Sequence, residues 1–235
     1  MNSGQDLKIP LVPWKAGDVL AAFLTAVIGM FAIIVIFALI IDDVDSESAL
    51  TINVSIAAVS AILLLVSWFF GPMKYRVSIT TLGLRSLRSL GASHWLLPLM
   101  ALTIILIFNG IYSIATSELD WDVLEPPDLT FLGDFGASSL FITGFLIIGV
   151  GPFTEEVFFR GFALAGLARR WGPVAGILVS SVFFSVTHGS VAVLIPIFVA
   201  GLLLAWLYLR TGSLLASVLV HSTQNAVAFA VAVGT

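Results

Sequence analysis

Cysteine is absent from this chain of 235 residues. That absence excludes disulfide frameworks, thiolate metal sites and cysteine nucleophiles. Charge is scarce as well: 10% of the residues are Asp, Glu, Lys or Arg, and three are histidine. A nucleic-acid partner is not expected from so few basic groups. The chain also lacks the pattern of a cleavable signal peptide. Its first apolar run, from about Val19 to Ile41, is too long for a signal core, and no small-residue cleavage site precedes the acidic cluster after it. The run is expected to be a retained first span. Internal repeats and low-complexity segments are not evident.

Apolar surface is what the chain has in excess, with 59% of its residues hydrophobic. No soluble domain of this length needs that much, so residues 1–235 are expected to form a single transmembrane domain embedded in a lipid bilayer. The apolar runs are Val19–Ile41, Leu50–Phe70, Trp95–Ala115, Ala137 to about Ala168, Pro173–Thr187, Val191–Leu209 and Leu214–Val233. The expected fold class is all-α, a polytopic helical bundle of about seven spans. The fourth run is too long for one simple crossing and is expected to be interrupted. "GVGP", Gly149 to Pro152, is the natural break, because proline removes a helical hydrogen bond and clashes with the preceding turn. A restart there would put Glu155 and Glu156 in a first helical turn, where the helix dipole favours their charge and burial opposes it.

The few charges are sorted along the chain. Lys8 and Lys15 precede the first run. Lys74, Arg76, Arg85 and Arg88 lie between the second and third, Arg169 and Arg170 follow the fourth, and Arg210 follows the sixth. The alternate loops, "DDVDSES" from Asp42 and "SELDWDVLEPPDLTFLGD" from Ser117, hold ten of the fourteen acids and no Lys or Arg. Basic loops stay in the cytoplasm, so the expected layout has a cytoplasmic amino terminus in what is expected to be a prokaryotic cytoplasmic membrane. The segment "MKYRVSITTLGLRSLRSLGASHW" is too polar to cross and suits a cytoplasmic interfacial helix or loop, with His94 at the interface.

The tenth basic residue, Arg160, falls inside an apolar run, as do Asn109, Glu155, Glu156, His188, His221, Gln224 and Asn225. Ionisable groups at membrane depth mark functional sites by default, since their desolvation must be offset. Glu156 lies sixteen residues before Gly172 and His188 sixteen after it, each about 24 Å along antiparallel helices from one turn. Asn225 lies thirteen residues after Gly212, about 20 Å, with His221 one turn nearer the same face. Three helices therefore deliver polar groups to one layer. Glu156 and Arg160 are four apart and can form an ion pair on one helical face. Glu155 is rotated about 100° away and is left free to act on a substrate or a water. Phe184 is expected to be packing, and Gly161, Gly166 and Gly201 to allow close helix approach.

"EEVFFR" (Glu155, Glu156, Arg160), "FSVTH" (Phe184, His188) and "HSTQN" (His221, Asn225) resemble three ordered motifs, EExxxR, FxxxH and HxxxN, of the CAAX protease and bacteriocin-processing family, also called CPBP or Abi. The resemblance covers roughly Gly151 to Ala228. It divides the chain into amino-terminal spans, 1–136, and a CPBP/Abi-like catalytic core, 137–235. What it implies is an intramembrane endopeptidase acting on a membrane-associated protein or peptide. Eukaryotic members trim prenylated proteins after the modified cysteine; prokaryotic relatives are linked to peptide processing, signalling and self-immunity. By resemblance, Glu155 and His188 would activate the hydrolytic water and His221 and Asn225 would stabilise the oxyanion. Glu156 and Arg160 would hold the site in shape.

Two versions of the chemistry are open. In one, no cofactor is needed: Glu155 is a general base working with His188, and polar donors form the oxyanion hole. In the other, Glu155, His188 and His221 hold a zinc ion that lowers the pKa of bound water. The helical HExxH spacing of many zinc peptidases is absent. Two further classes compete with an enzyme: a non-proteolytic immunity or scaffold protein, and a small transporter with a proton relay. A transporter would favour an internal repeat.

Overall fold

The structure is a computed structural model and describes residues 7–40, 48–85, 95–119 and 121–234. Arg88, His94 and most of the first acidic loop lie outside the described residues. Among the described residues the secondary structure is helical, without strands. The helices are α1 (Ala16–Ile40), α2 (Ala49–Trp68), α3 (Leu96–Glu118), α4 (Ala137–Trp171), α5 (Pro173–Val186), α6 (Val191–Thr211) and α7 (Leu214–Gly234). Six are long and apolar enough to cross a membrane; α5, with 14 residues, is shorter. The all-α, polytopic bundle is as expected.

Local chemistry sets the helix ends. The Ser48 side chain accepts the Thr51 N–H at 3.2 Å and opens α2, since a short hydroxyl satisfies one of the four orphan donors of a first turn. Gly172, at φ 85°, ends α4, and Pro173 starts α5 at once. Gly212, at φ 71°, ends α6. Both glycines hold positive φ without a Cβ penalty. The segment after α2 forms a π-helical turn, Phe69–Met73, and a short 3₁₀ turn, Ile79–Leu82.

The interruption expected in the fourth run takes a different form from a break. α4 stays helical throughout, and two stretches, Leu146–Val150 and Val157–Leu164, widen to π-helix. Gly151 keeps right-handed helical dihedrals and bonds back to Leu146. No free amino-terminal turn forms at Pro152, so the dipole expected to act on Glu155 and Glu156 does not. Proline is accommodated because the π register has already released the hydrogen bond it cannot make.

Outward faces are apolar: Phe31, Leu39, Leu65, Ile114 and Phe141 are all exposed, as suits helices whose solvent is lipid. Inside, α5 packs on α6 and on the end of α4, and α3 lies against α6 and α7. Phe158, Phe159, Phe162, Leu164, Phe184 and Tyr208 form the main core, joined by Val12 and Trp14 from the strap that precedes α1. Gly161 permits a close approach to backbone: a Cβ there would lie 2.6 Å from the Leu82 carbonyl oxygen.

The basic segments meet at one end of the bundle. Lys8 donates from Nζ to the Thr211 carbonyl at 3.0 Å, and Arg169 donates to the Val12 carbonyl. Lys74 pairs with Asp18. Leu214 N–H donates to the Gly83 carbonyl at 3.0 Å, and Ser213 Oγ to that of Arg85 at 2.9 Å. Charge sorting in the sequence is therefore spatial sorting in the fold.

Candidate active site

Position follows from three helices. α4 carries Glu155, Glu156 and Arg160; the end of α5 carries Phe184 and the turn after it His188; α7 carries His221 and Asn225. The widened second half of α4 is wholly buried from Val157 to Leu164.

Glu156 and Arg160 sit at the centre, 0% and 1% exposed. Arg160 donates from Nη1 to Glu156 Oε1 at 2.7 Å and from Nη2 to the Gly201 carbonyl at 3.3 Å. A buried ion pair stands only when hydrogen bonds satisfy the rest of each group. His221 supplies one of them, donating from Nδ1 to the same Glu156 oxygen at 3.0 Å. Because the carboxylate can only accept, Nδ1 carries the proton, and Nε2 is left toward Glu155. Glu155 Oε2 lies 3.8 Å from His221 Nε2, beyond a direct hydrogen bond. Its side chain is 24% exposed. The division expected from the spacing therefore appears in space: Glu156 is held by Arg160, and Glu155 is not.

His188 lies two residues beyond the last residue of α5 and is exposed. Its Nδ1 lies 2.8 Å from the Phe184 carbonyl, which can only accept. The proton is again on Nδ1, and Nε2 keeps a lone pair. No hydrogen bond or ion pair of His188 with Glu155 or His221 is seen among the described residues; both imidazoles meet at the Phe184 ring. The Phe184 ring lies 5.0 Å from that of His188 and 5.6 Å from that of His221, both edge to face. It also lies under the Arg160 guanidinium at 4.2 Å, a cation–π contact that low dielectric strengthens. Phe184 is thus more than packing. The i, i+4 spacing to His188 could have signalled the first contact, but the other two need the tertiary fold.

Asn225 donates from Nδ2 to the Ile147 carbonyl at 2.9 Å. That carbonyl lost its helical donors to the local sequence: the Gly151 N–H bonds Leu146 instead, and Pro152 has no N–H. Asn225 thereby ties α7 to the first π turn of α4 and keeps a second amide proton. The oxygens of Asn109 and Gln224 are buried, without a hydrogen-bond partner among the described residues. Glu155 Oε2 and Glu156 Oε2 share that state.

A zinc ion would need Glu155, His188 and His221 gathered around one point. Among the described residues no three His, Asp or Glu side chains are grouped to hold a metal ion. Glu155 and His221 face each other at 3.8 Å, and the Phe184 ring contacts both imidazoles. Glu155, His188 and His221 remain the residues that would hold zinc in the metal version of the chemistry.

Residues 137–227, from the start of α4 into α7, match the family model described as type II CAAX prenyl endopeptidase Rce1-like. No curated protein matches the chain, and no solved structure does. The matched segment contains every candidate site residue, Glu155, Glu156, Arg160, His188, His221 and Asn225.

Proposed function

We propose, from the match of residues 137–227 to the Rce1-like family model of type II CAAX prenyl endopeptidases, that this chain hydrolyses a peptide bond in a membrane-associated protein or peptide, using Glu155 and His188 to activate water. The observation that carries the proposal is the facing of Glu155 Oε2 and His221 Nε2, 3.8 Å apart across α4 and α7. A carboxylate with one uncommitted oxygen and two imidazoles with uncommitted Nε2 atoms are the groups that acyl hydrolysis uses.

The steps follow from these atoms. Glu155 accepts a proton from the attacking water, whose second hydrogen is oriented by His188 Nε2. The water oxygen bonds to the scissile carbonyl carbon, and the carbonyl oxygen becomes an oxyanion. The second Nδ2 proton of Asn225 is available to that oxyanion. His221, whose ring is held through Nδ1 by the Glu156 carboxylate, is assigned to the oxyanion side of the site. Glu155 then gives its proton to the leaving amine and the C–N bond breaks. Glu156 and Arg160 keep His221 in register and touch no reacting atom. Oxyanion donors in a water-poor site are worth about 3–4 kcal/mol each.

The test is cleavage of a fluorogenic peptide panel by detergent-purified protein, comparing wild type with Glu155→Gln and His188→Ala, each with and without a chelator. Activity lost in both variants and unaffected by chelator is the expected result. Activity retained by Glu155→Gln would overturn the proposal. Loss to chelator with rescue by zinc would replace it with the zinc version.

A further inference from the structure

Three separate pieces of chain meet at the end of α6: the strap before α1, the 3₁₀ turn after α2, and the start of α7. Backbone bonds hold them there. Lys8 N–H donates to the Leu209 carbonyl at 2.6 Å and Leu214 N–H to the Gly83 carbonyl at 3.0 Å, while Ser213 Oγ donates to the Arg85 carbonyl at 2.9 Å. Gly83 holds φ 86°, and a Cβ there would collide with the Tyr208 hydroxyl. Glycine thus serves both the left-handed turn and the close approach to the phenol.

These pieces frame a cavity of about 490 Å³, a size within the range of about 300–1,000 Å³ of small-ligand sites. Lys8, Thr81, Arg85 and Tyr208 line it, with Gly83 and Gly212. The charged side chains on this lining are both basic, whereas Lys74 at the same end of the bundle is paired with Asp18. Lys8 Nζ gives one proton to the Thr211 carbonyl at 3.0 Å, and an ammonium has two more.

Tyr208 is the informative member. Its residue is 1% exposed, its hydroxyl end lies beneath Gly83, and that hydroxyl makes no hydrogen bond among the described residues. A buried phenol O–H ordinarily has a partner. Here it points toward a space lined by an ammonium, a guanidinium and the Thr81 hydroxyl. Cations of this kind only donate, and both hydroxyls can donate. The group that answers such a lining is an anion with several acceptor oxygens. Phosphate has them: a guanidinium binds two of its oxygens as a fork and an ammonium binds as a point charge. The cavity also lies at the basic end, where charged groups sit at headgroup level, and basic pockets between transmembrane helices at that level take phosphate headgroups.

We propose that this cavity binds a phosphate group, carried by an anionic lipid headgroup or as the free anion, and that the bound phosphate ties the strap to the 3₁₀ turn and to α6. None of its lining residues is a candidate catalytic residue, so the proposal is independent of the peptidase reading.

The test is thermal unfolding of the full chain in a neutral detergent, with dioctanoyl phosphatidate, dioctanoyl phosphatidylcholine or inorganic phosphate added. Phosphatidate is expected to raise the wild-type unfolding temperature by at least about 3 °C and phosphatidylcholine by less than about 1 °C, since a ligand of the folded state stabilises it. Tyr208→Phe, which removes only the hydroxyl, and Lys8→Gln are each expected to lose at least about half of that rise, measured against their own baselines. Arg76→Gln removes a basic group of the same segment outside the cavity and is expected to keep the rise. An equal rise with inorganic phosphate assigns the site to the free anion; a rise with phosphatidate and not with inorganic phosphate assigns it to the lipid. No rise with either, or an equal rise with phosphatidylcholine, would overturn the proposal. So would a full rise in both Tyr208→Phe and Lys8→Gln, or an equal loss in Arg76→Gln, which would reduce the effect to general charge.

Discussion

Asn225, on α7, donates its side-chain amide to the Ile147 carbonyl of α4 at 2.9 Å, satisfying an acceptor that Pro152 leaves without a helical donor. The bond joins two residues 78 positions apart and ties the third motif to the turn before the first. Replacing Asn225 by Ala is expected to cost about 1–3 kcal/mol, the penalty for an unsatisfied buried polar group. Pro152→Ala restores an N–H able to reach Ile147, so the double variant should lose less stability than the two single losses combined. Thermal unfolding in detergent of the four proteins measures the coupling; strict additivity would mean that the bond contributes nothing.

Glu156 and Arg160 form the buried pair at the centre of the bundle. Arg160→Met leaves a carboxylate buried without its cation and should destabilise by about 3–5 kcal/mol. Glu156→Gln with Arg160→Met removes both charges and should recover much of that loss. A double variant as unstable as Arg160→Met alone would show that the guanidinium acts through shape and not charge.

Glu155 should behave in the opposite way to its neighbour. Its side chain is partly exposed and without a hydrogen bond among the described residues, so Glu155→Gln is expected to leave the unfolding temperature within about 2 °C of wild type while abolishing cleavage. Glu156→Gln should lower both. The two adjacent carboxylates are thus separable by comparing melting with turnover.

Phe184 lies within ring-contact distance of Arg160, His188 and His221. Phe184→Leu keeps most of the apolar volume and loses the quadrupole, for an expected stability loss of about 1–2 kcal/mol. Cleavage should fall by at least about ten-fold, because both imidazoles lose a wall that fixes them. Unchanged turnover would return Phe184 to simple packing.

Gly161 stands where a Cβ would meet the Leu82 carbonyl oxygen at 2.6 Å. Backbone cannot yield as a flexible side chain does, so Gly161→Ala should destabilise by about 1–3 kcal/mol. Gly110, whose added Cβ meets nothing within 4 Å, is the matched control, and Gly110→Ala is expected to be neutral or slightly stabilising. Equal melting of the two variants would contradict the close approach.

Much of this protein was determined by the sequence alone. An apolar majority fixes a membrane bundle, because hydrocarbon tolerates only helices that satisfy their own backbone. Basic and acidic loops alternate along the chain, and the basic ones gather at one end of the fold. Spacing of four within one helix fixes a shared face, so the Glu156–Arg160 pair was readable from local geometry. What only the tertiary structure decided depends on groups distant in sequence. Proline at position 152 reads as a helix break until a donor from α7 is seen to replace the missing bond. Phe184 reads as one apolar residue among many until a cation from α4 and an imidazole from α7 are seen against its ring. Local periodicity specifies which way a side chain faces on its own helix; what it faces is set by the packing of the others.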